Sequence, residues 1–267
     1  MKNIIFVLAL LAFSTACEQK IKTGSENELV GQELAGSAHE KIIQEIESRI
    51  DEGMKVQSLQ WEKQTEQHGS EFIEVEAYLN PDGKAIKIVE YYILGNYQPQ
   101  GEKIYYLNNG EIVAYRENID FWVDSLNTNY REIQTFFENG KAIKSQTRVS
   151  ISYDDIQFQE WEDTELDIPS LEKINQILNG EGRFQPHFIS VIKGDNATFL
   201  LLGEPKELGE ERYTTAVRVD VIDDFMQDLL KNQETYKFKP VDIQFRIEGN
   251  GITTPIFRVL TNIQWKE

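Results

Sequence analysis

The chain has 267 residues, of which 40% are hydrophobic and 11% aromatic, enough to bury a sizeable core in one large domain or two small ones. With 27 basic against 45 acidic residues its formal charge is −18, which argues against nucleic acid as a partner and against an electrostatic grip on anionic lipid. A single cysteine, Cys17, rules out any disulfide within the chain, so packing alone must hold the fold.

Lys2 supplies a positive start, and Ile4 to Phe13 is an apolar run of the ~7–15 residues expected in the core of a signal peptide. The run is well short of the ~20 residues that a spanning helix needs. Small residues, Ser14-Thr15-Ala16, stand just before Cys17. Residues 1–16 therefore read as a signal peptide. The segment resembles a bacterial lipoprotein leader, whose lipobox ends in the cysteine that takes the lipid. Ser14 stands where that family usually has Leu, and the same small residues also suit an ordinary secretory peptidase. The resemblance implies lipidation at Cys17 and an anchor in the bacterial cell envelope, on the periplasmic side or the cell surface, in the outer membrane. An unpaired thiol on an exposed tail would be a liability, which favours acylation. Residues 17–36 are polar and carry Gly24, Ser25, Gly31 and Gly36 without any hydrophobic period. They read as a flexible tether.

Ser37-Ala38-His39-Glu40 matches a capping box, and Ile42, Ile43, Ile46 and Ile50 follow as one apolar stripe at helical spacing. A helix over 37–52, ending near Gly53, is predicted, and it needs an apolar surface to lie on. A repeated hairpin supplies one. Asp82-Gly83, Asn109-Gly110 and Asn139-Gly140 are dipeptides that accept positive φ, each set between alternating runs. Six strands in up-and-down order are expected over a first domain spanning 37–153. Ile73, Val75, Ala77 and Leu79 fall on one side of the first strand, with Glu74 and Glu76 on the other. The second strand is apolar on both sides, so its sheet is expected to be covered twice, once by the helix and once by the C-terminal half.

An acid-dense stretch around Trp161, residues 154–167, reads as a linker. The remainder, 168–267, reads as a second antiparallel α+β unit. It has a short helix stopped by Gly180, a hairpin over Phe188 to Ile192 and Thr198 to Leu202, and a strand over Thr214 to Ile222. A helix capped by Asp223 or Asp224 follows, and strands over Val241 to Ile247 and Pro255 to Trp265 close the chain.

The motifs of chemistry are sparse. His39, His68 and His187 lie far apart without metal-ligand spacing, and the chain has no nucleophile elbow, P-loop or dinucleotide fingerprint. No catalytic residue, metal ligand or cofactor is assigned. Glu160, Glu162, Asp163, Glu165 and Asp167 offer oxygen ligands to calcium but lack the glycine of an EF-hand loop. Tyr91, Tyr92, Tyr97, Tyr105, Tyr106, Tyr115, Phe121 and Trp122 concentrate in the first sheet, either as a platform for sugar or peptide or as cross-strand packing. Asp124-Ser125-Leu126 resembles the O-glycosylation acceptor of exported proteins in the Bacteroides group.

The runs YYLNNGEIVAYRE and FFENGKAIKSQT resemble hairpins of exported Bacteroidetes-type lipoproteins of uncharacterised role, and more loosely the repeats of YwqK-type antitoxins. The likeness covers Phe72 to Ile151 and implies an antiparallel hairpin sheet, with no catalytic residue carried over. The expected protein is non-catalytic and lipid-anchored to the membrane, and binds a protein or glycan partner, with no nucleic acid. Two other readings stand beside it: a lipid or lipoprotein carrier resembling the LolA/LolB sorting factors in architecture, and an enzyme acting on wall glycan.

Overall fold

A computed structural model describes residues 39–124, 127–165, 169–206, 211–249 and 254–266. Cys17, the signal peptide, the tether, Ser37 of the capping box, Ser125 and Asp167 lie outside these residues. The fold is α+β, built on one mainly antiparallel sheet with few helices.

Helix α1 occupies residues 39–49. Two short strands follow, β1 (Met54–Gln57) and β2 (Trp61–Thr65), then the expected meander. Its six strands are β3 (Gly69–Leu79), β4 (Ala85–Ile93), β5 (Gln100–Asn108), β6 (Glu111–Trp122), β7 (Thr128–Glu138) and β8 (Lys141–Ser150). Asn109 and Asn139 adopt φ of 52° and 49°, with Gly110 and Gly140 at 87° and 71°. Both dipeptides thus hold the left-handed pair that twists correctly between adjacent strands. Each strand pairs antiparallel with the next.

The segment expected to link two domains makes a 3-10 turn (Ile156–Phe158) and a short strand, β9 (Glu162–Asp163), paired with β8. Helix α2 (Glu172–Asn179) ends at Gly180 in the left-handed conformation, φ 60°, as a C-terminal glycine allows. Then come β10 (His187–Lys193), β11 (Thr198–Gly203) and β12 (Tyr213–Val219). Helix α3 (Asp224–Lys231) is capped by the Asp223 carboxylate, which accepts from the Met226 N–H at 2.9 Å. Helix α4 (Gln233–Tyr236) and the hairpin β13 (Val241–Glu248) and β14 (Phe257–Trp265) complete the chain.

The C-terminal strands join the meander. Tyr213 and Thr214 of β12 pair with Lys63 and Glu62 of β2, while Arg218 further along β12 pairs parallel with Val259 of β14. One hydrogen-bonded path therefore runs β10-β11-β12-β2-β3-β4-β5-β6-β7-β8-β9. The two faces of the meander are covered differently. On the inner face, Trp61, Val75, Ile88, Tyr105 and Tyr115 share one core with Ile174, Ile177, Phe188, Leu200, Val217 and Leu229 from the C-terminal half. On the outer face, Ile43 and Ile46 of α1 pack on Tyr106, Ala114 and Phe136.

Helix α1 is also held by polar contacts. The Glu47 carboxylate accepts from Lys87 at 2.7 and 3.0 Å and from the Tyr106 hydroxyl at 2.7 Å. Partial burial would raise the pKa of this carboxyl, but the hydrogen bonds from Lys87 and Tyr106 outweigh it and hold the pKa below its ordinary value. A depressed carboxylate gives stability that is present above its unfolded pKa and is lost as pH falls through its folded value. Acid should therefore loosen α1 from the sheet. Amide NMR signals of residues 39–49 should shift on the acid limb in the wild type, and Glu47→Gln should abolish that part of the titration.

Because Leu200 is wholly buried in the shared core, Leu200→Ala should cost about 2–5 kcal/mol. Hydrogen exchange should rise in β3 and β4 as well as in β10 to β12, although Leu200 itself belongs to the C-terminal half.

Candidate functional site

Cross-strand register sets the chemistry of the inner face. Glu90 of β4 pairs with Lys103 of β5, and Lys103 pairs with Glu117 of β6. Adjacent strands lie about 4.8 Å apart, so an acid, a base and an acid stand in one lateral row with about 10 Å between the outer pair at the backbone. The rows on either side are largely aromatic or apolar. Tyr105 and Tyr115 pair in the row toward the Asn-Gly turns, and Tyr92 pairs with Gly101 in the row toward the opposite loops.

Both acids are buried: Glu90 is 4% exposed and Glu117 is 8% exposed. A buried carboxylate needs hydrogen bonds or a counter-charge. Glu117 is met by two phenols, with the Tyr92 and Tyr115 hydroxyls each donating to a different oxygen at 2.8 Å. Glu90 accepts from the Tyr105 hydroxyl at 3.2 Å, and Lys173 of α2 reaches its other oxygen at 3.6 Å. Burial, followed by the neighbouring Glu117 carboxylate, pushes the Tyr92 phenol far above its ordinary pKa. Tyr92 is therefore a fixed O–H donor at neutral pH.

Lys103 does not close onto either acid. Its ammonium stands 5.2 Å from the centre of the Tyr92 ring, and Tyr92 pairs with Gly101 in the neighbouring row. Among the described residues no carboxylate lies within 4 Å of the nitrogens of Lys103 or Arg131, and no cation lies within that distance of Glu117. Arg131 of β7 pairs with Ile119 in the Gly101 row and lays its guanidinium 5.7 Å from the Phe121 ring.

These groups line a cavity of about 290 Å³, near the lower bound of about 300 Å³ for small-molecule sites. Its charged lining is Glu71, Glu90, Glu117, Lys103, Arg131 and Lys173, and its apolar wall is built by Phe72, Ile73, Ile93, Leu94, Pro99 and Ile119. Helix α2 supplies Lys173 and β12 supplies Tyr213, so the C-terminal half forms one side of the site. Glu71 is already paired, with Lys63 at 2.9 Å.

The other residues singled out in the sequence are dispersed. His39 is buried and hydrogen-bonds the Phe137 carbonyl at 2.9 Å, and the His187 ring contacts the Gln185 carbonyl at 2.9 Å. Among the described residues no group of three His, Cys, Asp or Glu is placed to hold a metal ion. The aromatic set divides between faces: Tyr92, Tyr105 and Tyr115 point inward, Tyr106 packs under α1, and Tyr97 and Trp122 meet edge to face at 5.3 Å on the surface. Glu90, Lys103 and Glu117 were not singled out by the sequence reading. The signal was present in Ile88-x-Glu90-x-Tyr92 and Tyr115-x-Glu117-x-Ile119, where an acid interrupts an apolar face at i±2.

Comparison with family models, curated proteins and solved structures finds no match to this chain.

Removing one phenol donor should show how strongly Glu117 depends on it. Tyr115→Phe is expected to lower stability by about 1.5–3 kcal/mol in denaturant titration, the range for a hydrogen bond to a charged group. Tyr115→Phe in a Glu117→Gln background should cost measurably less.

Proposed function

We propose that this is an exported, lipid-anchored protein of the bacterial cell envelope that works without catalysis, binding a ligand or partner in the cleft of the inner face. The single observation that carries the binding reading is the row Glu90–Lys103–Glu117, two buried acids about a half-buried lysine, opening into that cleft. Charged groups are costly to bury, and a row whose central ammonium pairs with neither neighbour contributes little to stability by itself. A ligand that completes their contacts accounts for it.

The same row weighs against glycan hydrolysis. Hydrolysis by two carboxylates needs the scissile bond between them, and here Lys103 stands between Glu90 and Glu117. The export reading rests on the leader, with its apolar run and Ser14-Thr15-Ala16-Cys17. Lipid at Cys17 would join the membrane to α1 through residues 18–38.

Expression in a bacterial host that processes lipoproteins tests the address. Wild-type protein should sediment with membranes and carry the mass of the attached acyl chains on Cys17, and Cys17→Ala should move to the soluble exported fraction. Equal fractionation and unmodified mass for both forms would defeat the anchor. Binding is tested separately, by screening the folded chain with small polar probes and following the amide signals of Tyr92 and Ile119.

A further inference from the structure

The cleft carries opposite charges that do not neutralise one another, and their placement specifies the ligand. On one side, each Glu117 oxygen takes one phenol hydrogen bond at 2.8 Å and keeps a further lone pair for another donor. Glu90 stands in the same row, two strands away. On the other side are the Lys103 ammonium and the Arg131 guanidinium, both without a carboxylate within 4 Å among the described residues. Lys103 and Glu117 are direct cross-strand partners, a position in which opposite charges normally pair. The two tyrosines hold the carboxylate, while the lysine stands over the Tyr92 ring. Ile73, which pairs with Tyr92, and Leu94 and Ile119 line the same cavity as these charges.

Resting on the reading of this cleft as a binding site, we propose that its ligand is a free amino acid, or the end of a short peptide, with its ammonium held by Glu117, its carboxylate by Arg131 and Lys103, and an apolar side chain against Ile73, Leu94 and Ile119. Arg131 presents a planar fork that matches a carboxylate. A purely anionic ligand would leave Glu117 facing it, and a purely cationic one would meet Lys103 and Arg131. A zwitterion satisfies both sides. The volume, about 290 Å³, holds on the order of ten waters and so suits a single medium-sized apolar amino acid rather than a chain of sugars.

Titration calorimetry of the full chain with L-leucine, L-isoleucine, L-methionine and L-phenylalanine tests this. N-acetyl-L-leucine, L-leucinamide and 4-methylpentanoate serve as blocked analogues of leucine. At least one of the free amino acids should bind at millimolar concentration or tighter, and the analogues lacking either charge should bind about tenfold or more weakly than leucine. Arg131→Met, at an exposed position, should weaken leucine about tenfold and leave leucinamide no weaker. Glu117→Gln should weaken leucine and leave 4-methylpentanoate no weaker. Equal binding of leucine and its blocked analogues, or no binding of any free amino acid, would overturn the zwitterion. If 4-methylpentanoate alone binds and shifts the Tyr92 and Ile119 amides, the cleft remains a binding site with another ligand. If neither these probes nor a broad screen of small polar molecules moves those amides, the binding reading itself fails.

Discussion

The register of β4, β5 and β6 is the constraint on which the rest of the structure depends. Side chains alternate faces along each strand, so a slip of one residue would turn Glu90, Lys103 and Glu117 outward and expose Tyr92, Tyr105 and Tyr115. The Asn109-Gly110 turn fixes the β5–β6 pairing, and the Asn139-Gly140 turn fixes the β7–β8 pairing. With the register set, the inner face receives a charged row within an apolar field, and the C-terminal half encloses it. Trp61 of β2 is buried against Phe184, with ring centres 5.7 Å apart, close to where β2 pairs with β12 and the sheet continues into that half.

Electrostatics within the row follow from competition among short contacts. A buried ion pair repays its desolvation only with very good geometry, and Glu117 instead takes two short hydrogen bonds from neutral phenols. Those phenols come from different strands and opposite neighbouring rows, which fixes the carboxylate along the strand as well as across it. Glu90 is arranged differently, met by one phenol on one oxygen and on the other by a lysine that comes from α2 rather than from the sheet. The row therefore joins the meander to the C-terminal half by chemistry as well as by packing, and the cleft exists only where the two meet.

Much of the fold was legible in the chain. The three turn dipeptides and the alternation around them mark the six meander strands, Gly180 marks the end of α2, and Asp223 marks the start of α3. What was not legible is non-local. Strands β1 and β2 are short and mostly polar, so neither has a pattern strong enough to be read as a strand. The parallel contact between Arg218 and Val259 and the joining of β12 to β2 link residues far apart in sequence, which no local signal encodes. Acid-rich residues 160–165 look like solvated linker, yet Glu162 and Asp163 pair with β8. The candidate site was hidden for a related reason. A Glu or Lys in an alternating strand ordinarily marks the wet face, and only the aromatic and aliphatic neighbours at i±2 betray Glu90 and Glu117 as inward-facing.

The central claim is that Glu117 is held by two phenols and not by Lys103. Detection of side-chain hydroxyl protons by NMR tests it most directly. Slowly exchanging hydroxyl protons of Tyr92 and Tyr115, each with an Overhauser contact to the Glu117 γ-methylene, are predicted in the ligand-free protein, with no such contact from the Lys103 ammonium. Rapidly exchanging tyrosine hydroxyls together with a direct Lys103–Glu117 contact would contradict the account.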